Sequence, residues 1–318
     1  MPVLAGVLRE NGWEVRILTS SRLARERWAG VEFDAEMRRR GFPVWVQESL
    51  DPSEIPLQEV DRETLGLSLG AAWIFRPEVI RLFGGNLMNC HPSCLPEDRG
   101  GGGFSWRIFR GDRRGSCALH RVDPGVDSGE VVCSEEFAFP DSCRVPKDFF
   151  EVQHAKDLAF LSDFARRVRQ GENFPVRAQD PAAATYWPRL ETSLHGAIDW
   201  DWSAEELERF ICAFDEPYPG AFTQLYGRRI HLRDCRRSDA RCGSHPFLAG
   251  LIFRIDGGRL HVAAGGGILS IGQALDEEGQ DAAASLRPGD RFWTPLDLLE
   301  QARSTRVFHS SSGRYRRS

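Results

Sequence analysis

The period of the hydrophobic positions changes along the chain, and each change predicts an element. From Met1 to Glu10 apolar residues recur at helical spacing and close on Asn11-Gly12, a pair suited to ending a helix. Trp13-Glu14-Val15-Arg16-Ile17-Leu18 then alternates with period two, the mark of a strand. Residues 20 to 40 are polar and helix-prone, and a short strand follows from Pro43 to Val46. The apolar run Leu65 to Phe75 reads as a strand and then a turn. Arg76-Pro77-Glu78 opens a helix, with proline in the first turn where its missing N–H costs nothing. Asn86-Leu87-Met88 is short enough for a buried strand; Phe104 to Gly111 reads as a helix, and Ser116 to Val122 and Glu130 to Phe137 as strands. From Lys147 to Gln170, Phe149, Phe150, Val152, Leu158, Leu161, Phe164 and Val168 recur at roughly helical spacing, a stripe suited to core packing that stops at Gly171. Such alternation predicts an α/β domain over residues 1–171, with a doubly wound, mainly parallel sheet covered on both faces.

The pattern then lapses. Residues 172–202 mix proline, alanine and polar residues without a clear period, as a linker does. Ser203-Ala204-Glu205-Glu206 has the form of a capping box and starts a helix to about Phe214. Short strands follow between glycine-containing turns, at 221–225, 229–234, 250–255, 259–263 and 267–271, so residues 203–318 predict a small β-barrel-like domain. A length of 318 residues agrees with two domains, since one core seldom grows much beyond about 250 to 300 residues.

Composition narrows the function classes. Hydrophobic residues at 41% and charged residues at 27% are ordinary for a globular chain, and the formal net charge of −5 argues against a dominant nucleic-acid surface. No apolar run approaches the roughly 20 residues of a membrane span, and the N-terminus lacks the pattern of a secretory signal, so a cytoplasmic location without a membrane partner is expected. Eight cysteines occur without a Cys-x-x-Cys pair, which favours free thiols over a disulfide framework or a metal site.

The chemistry centres on Asn89-Cys90-His91-Pro92-Ser93-Cys94-Leu95-Pro96-Glu97-Asp98-Arg99-Gly100, followed by glycine through Gly103. Asn89 and His91 fall at the carboxyl end of a strand, the edge where open α/β sheets bind ligands, and at i and i+2 they point the same way. An amide donor and an imidazole aimed together into a cleft suit oxyanion stabilisation and proton transfer. Either residue alone is more often a turn former or a hydrogen-bonded structural residue. A second segment, Leu119-His120-Arg121-Val122-Asp123-Pro124-Gly125-Val126-Asp127-Ser128-Gly129, changes that reading. Together the two segments resemble the formyltransferase family that uses a 10-formyltetrahydrofolate donor. In that family Asn-x-His precedes Ser-x-Leu-Pro-x-x-Arg-Gly and, further on, an Asp-x-Gly-x-Asp-x-Gly loop. Trp106-Arg107-Ile108 continues the resemblance, Tyr186-Trp187-Pro188-Arg189 matches the family's linker, and Ile198-Asp199-Trp200 with Pro217-Tyr218-Pro219-Gly220 matches its second domain.

The resemblance implies an enzyme in which Asn89 donates to the developing oxyanion, His91 relays a proton and Asp127 orients the imidazole. It implies folate contacts from Trp73, Ile74 and Phe75, from Ser93, Leu95 and Pro96 of the turn, and from Asp123 and Gly125 of the downstream loop. It needs no metal. Asp123 reads equally as a cap of its own turn, and the glycine run as backbone able to approach a phosphate or as a lid. The implied acceptor is a primary amine on a small molecule, a nucleotide-linked amino sugar ahead of methionyl-tRNA, because residues 203–318 are close to charge balance. Arg306 and Arg314-Tyr315-Arg316-Arg317 keep the tRNA reading open, and a homodimer is compatible with either. Family members also open with a strand that is absent here. Its absence would leave unpaired backbone in the sheet and suggests a start codon placed too far downstream or a truncated relative. The alternatives are therefore a formyl-tetrahydrofolate hydrolase and a folate- or carbohydrate-binding pseudoenzyme.

Overall fold

A computed structural model describes all residues except Met1, Ala29, Ile55, Ala72, Gly102, 239–244, 311–312 and Ser318. The first helix, α1 (Pro2–Glu10), ends at Gly12, whose positive φ of 83° is the conformation glycine adopts without a Cβ penalty. Only Ile17–Thr19 of the following alternating stretch forms a strand, β1. The helix-prone region beyond it is split: α2 (Ser21–Ala24) and α3 (Phe33–Arg39) flank a small hairpin of β2 (Arg27–Trp28) and β3 (Val31–Glu32). The strand β4 (Val44–Val46) runs parallel to β1.

The central sheet comprises β5 (Gly66–Leu69), β6 (Leu87–His91), β8 (Arg114–Arg121) and β9 (Val131–Ala138), in the order β5-β6-β8-β9. Between them lie α4 (Pro77–Leu82), the two-residue β7 (Arg99–Gly100) and α5 (Gly103–Arg110). Here the sheet is mixed. The pair β5–β6, joined through α4, is parallel, whereas β6–β8 and β8–β9 are antiparallel. β8 and β9 are joined directly through the Asp127 loop, and a parallel connection needs a crossover element. Among the described residues β1 pairs with β4 alone and β5 with β6 alone, so the sheet falls into two hydrogen-bonded pieces. The long α6 (Pro146–Arg169) covers one face, burying Leu161 and Phe164 against Leu4, Met88, Cys90 and Leu119.

Residues 172–202 contain β10 (Tyr186–Trp187) and α7 (Thr192–His195). The capping box holds as expected: Glu206 N–H donates to Ser203 Oγ at 3.3 Å and Ser203 N–H to Glu206 Oε2 at 2.9 Å, starting α8 (Ala204–Ala213). The second domain is an antiparallel sheet of β11 (Ala221–Leu225), β12 (Arg228–Ser238), β13 (Ile252–Asp256), β14 (Arg259–Ala264) and β15 (Gly267–Leu275), ordered β11-β12-β15-β14-β13. Residues 290–293 join its two edges. Trp293 exchanges backbone hydrogen bonds with Gln224, while Ile252 N–H donates to Asp290 O and Phe292 N–H to Gly250 O, so the sheet curls toward a barrel without free edges. A helix α9 (Leu296–Ser304) and a hairpin of β16 (Arg306–Ser310) and β17 (Gly313–Arg317) follow. The side chains of Arg314, Tyr315 and Arg316 lie outside the described residues.

α8 is the plug of the barrel and also its link to the first domain. Leu207, Ile211 and Phe214 pack against Ile230, Leu232, Val262 and Leu269. Phe210 stacks on Phe109 of α5 at 5.4 Å, and Ser105 Oγ donates to Ala213 O at 2.8 Å. Leu207 is fully buried, so Leu207→Ala is expected to destabilise the protein by about 3 kcal/mol, through lost burial and a residual cavity. Urea unfolding with an unchanged m-value is the check.

Candidate active site

β6 and β8 build the site from one side. In their antiparallel register Asn89 stands opposite His120 and His91 opposite Ala118, so Asn89, His91 and His120 share one face at the carboxyl end of β6. The loop after β8 brings Asp127 across them. Asp127 has a positive φ of 50°, a left-handed conformation that aspartate tolerates better than most residues. Gln179, from the segment expected to be a linker, stabilises that conformation: its Nε2 donates to Asp127 O at 2.9 Å and to Gly129 O at 2.7 Å. Its Oε1 accepts from Arg99 Nε and Nη2.

Side-chain roles follow from the partners. Asn89 Oδ1 accepts from Ser68 Oγ at 2.9 Å, which turns Nδ2 toward His120 Nε2 at 3.2 Å and Asp127 Oδ1 at 3.3 Å. His91 Nε2 lies 2.7 Å from the backbone oxygen of Asp98. A carbonyl only accepts, so Nε2 carries the proton, and Nδ1, 3.7 Å from Asp127 Oδ2, is the atom left to exchange one. Asp127 Oδ2 also accepts the Gly100 N–H at 2.9 Å. Burial alone pushes the Asp127 carboxyl up. In acid, where the rings are charged, a hydrogen bond from the His120 nitrogen, the charge on His91 and the Gly100 N–H outweigh it and hold the carboxyl at about 2.

The linker closes the turn. β10 pairs parallel with β7, Gly101 N–H donates to Trp187 O, and Thr185 N–H donates to Pro96 O. Trp187 Nε1 and Arg110 Nη2, both at 2.9 Å, then hold the buried Asp98 carboxylate.

The trio opens on a cavity of about 620 Å³. Trp73, Ile74, Phe75, Asp123 and Gly125 line it, as does Ser93. Trp73 Nε1 donates to Glu48 O, and Asp123 Oδ1 caps its turn by accepting from Gly125 N–H and Ser128 Oγ. Leu95 and Pro96 do not line it: Leu95 is buried against Ala118 and Val131, and Pro96 serves the strap through its carbonyl. The Gly100 and Gly101 amides are committed, to Asp127 and to Trp187, and do not face the cavity as free donors for a phosphate. Cys90 and Cys94 are buried, and burial pushes both thiols up, away from nucleophilic use. Among the described residues no group of three metal-ligating side chains is arranged to hold an ion. His120, Gln179 and Ser68 escaped sequence reading. For His120 the signal was its place on the strand before the Asp loop, whereas Gln179 reaches the site only through the fold.

An α/β domain with an amide, an imidazole and a carboxylate around one cavity, strapped to a small barrel, has the architecture of a group-transfer enzyme. The formyl transferase model matches residues 28–140 and the formyl transferase C-terminal domain model residues 192–286; the chain belongs to the formyltransferase family, enzymes that move a formyl group from a formyl-folate donor. The methionyl-tRNA formyltransferase of Roseiflexus sp. (strain RS-1) is 30% identical over 237 residues, covering 73% of this chain and 70% of that protein. That of Nitrosomonas eutropha is 29% identical over 266 residues, covering 79% and 80%. Among solved structures, an N-formyltransferase from Helicobacter canadensis, in complex with folinic acid and dTDP-3-aminofucose, has a TM-score of 0.65 at 14% identity, covering 86% of this chain and 95% of that one. HypX from Aquifex aeolicus has a TM-score of 0.58 at 19% identity over 83% of this chain; the match spans 46% of HypX, about half its length. At these identities the structural likeness concerns the fold.

Two outcomes are expected. A Cβ at Gly100, where φ is +99°, would sit 2.3 Å from Trp187 O, so Gly100→Ala should lift the strap and lower stability by about 2 kcal/mol in thermal denaturation. Asp127 should contribute about 2 kcal/mol of stability, from its ordinary value of 3.8 and a folded value of about 2. A depressed carboxyl contributes fully above its unfolded value, so this stability is present above about pH 4 and lost toward pH 2. Comparing Asp127→Asn with wild type in denaturant across that range checks the sign.

Proposed function

We propose that the protein transfers the formyl group of 10-formyltetrahydrofolate to the primary amine of a nucleotide-linked amino sugar. The observation that carries the transfer chemistry is the convergence of Asn89, His91 and Asp127 on one cavity. In this reading Trp73, Ile74 and Phe75 with Ser93, Asp123 and Gly125 hold the folate. Asn89 gives up its 3.3 Å contact with Asp127 to donate to the formyl oxygen as negative charge develops there. His91 takes a proton from the attacking amine through Nδ1 and returns it to the leaving nitrogen, while Asp127 stabilises the charged ring. No residue forms a covalent intermediate.

For the acceptor, the supporting observation is an aromatic shelf on the strap side of the cavity. Trp106 and Trp187 lie 5.2 Å apart between ring centroids, and the Arg110 guanidinium sits 4.4 Å above the Trp187 ring. Such a surface suits a base and a diphosphate better than an extended RNA backbone. The second reading, methionyl-tRNA as acceptor, is favoured by the relatives from Roseiflexus and Nitrosomonas eutropha.

Incubation with 10-formyltetrahydrofolate and a panel of amines, read by mass spectrometry, tests the transfer; release of formate without a formylated amine would sink it. His91→Asn and Asp127→Ala should each lower kcat by about a hundredfold or more while the protein stays folded. Salt separates the acceptors: a nucleotide sugar should lose little affinity, whereas tRNA binding should fall steeply.

A further inference from the structure

His120 is among the most buried polar groups of the molecule, 3% exposed, and stands one strand away from the residues that perform the chemistry. Its Nδ1 lies 2.9 Å from the backbone oxygen of Arg121. A carbonyl offers no hydrogen, so in the neutral ring Nδ1 carries the proton and Nε2 presents its lone pair. That lone pair faces Asn89 Nδ2 at 3.2 Å. On the other side of the same amide, Ser68 Oγ donates to Asn89 Oδ1 at 2.9 Å. The amide is thus gripped at both ends by groups of opposite character. An inverted amide would set its oxygen against the His120 lone pair and against Asp127 Oδ1, which only accepts, whereas the Ser68 hydroxyl can serve either orientation. We infer that His120 is a positioning residue: with Asp127 it fixes which end of the Asn89 amide enters the cavity, and it occupies one N–H so that the other is aimed at substrate.

This inference rests on the proposed role of Asn89 but makes a demand of its own on the free protein. His120 does not replace His91, whose ring lies 6.3 Å away edge-on and whose Nδ1 serves the proton. Its relation to the charges around it is fixed by the same tautomer. Asp127 Oδ1 lies 3.4 Å from His120 Nε2, so a protonated ring turns toward the carboxylate and releases the Asn89 amide. Other charged or titratable groups close by are His91 on β6 and Arg121 beside it on β8. Phenylalanine matches the ring in shape and removes both nitrogens, whereas glutamine keeps an acceptor for the Asn89 N–H.

The test has one arm without turnover. In the free protein at neutral pH, nitrogen-15 spectra of labelled histidine should report the Nδ1–H tautomer for His120, and H120F should shift the Asn89 side-chain amide resonances. An Nε2–H tautomer, or unchanged resonances, overturns the inference. In the second arm H120F should lower kcat by about tenfold or more with the KM for the folate donor within about twofold, and H120Q should restore most of kcat. Wild-type kcat in H120F, or an equal loss in H120Q together with a lowered melting temperature, overturns it in favour of a packing role. Should the wild type formylate no amine at all, the functional reading fails, and the tautomer and amide resonances still decide His120.

Discussion

One buried carboxylate carries the organisation of this molecule. Asp127 accepts from the Gly100 N–H, faces both His91 and His120, and contacts the Asn89 amide. A charge taken out of water is tolerated only when it is hydrogen-bonded, and here the Gly100 N–H and the Asn89 amide donate to it, from two separate stretches of chain. The same requirement that keeps the ion stable fixes the geometry of the groups around it. Loop conformation, strand register and linker path all have to agree for that to happen.

The linker shows how far this constraint reaches. Residues 172–202 do more than separate domains: Gln179 clamps the backbone of Asp127, β10 pairs with β7, and Trp187 helps to hold Asp98, whose carbonyl in turn sets the His91 tautomer. A displacement of the strap would therefore be felt at Asp127 and His91 through Gln179 and Asp98. The contact between α5 and α8 anchors the far end of the strap, since Phe109 on Phe210 ties the barrel to the helix that follows the turn. The second domain is connected to the site through this chain of contacts.

Preorganisation is the functional consequence. The Asn89 amide is held by Ser68, His120 and Asp127, and the His91 ring by the Asp98 carbonyl, which leaves His91 Nδ1 facing the cavity. Groups held in this way need little reorganisation when charge develops on a substrate. The committed amides of Gly100 and Gly101 belong to the same scheme, because their N–H groups build the site where a side chain at Gly100 would break it.

Local pattern determined much of this protein. Helical and two-residue periods placed α6, α8, β6, β8 and most of the barrel strands to within a few residues, and the order of the short motifs named Asn89, His91 and Asp127. Pattern failed where the energetic reason was not local. The helix-prone stretch from 20 to 40 was split by a hairpin, and the sheet was mixed because β8 and β9 meet through a loop. Leu95 turned into the core, and an aperiodic linker became a strap because its backbone hydrogen bonds are made to residues nearly ninety positions away. Sequence fixes which side chains a strand presents and to which face; only the packed chain decides which of them meet, because a hydrogen bond between distant segments leaves no period behind.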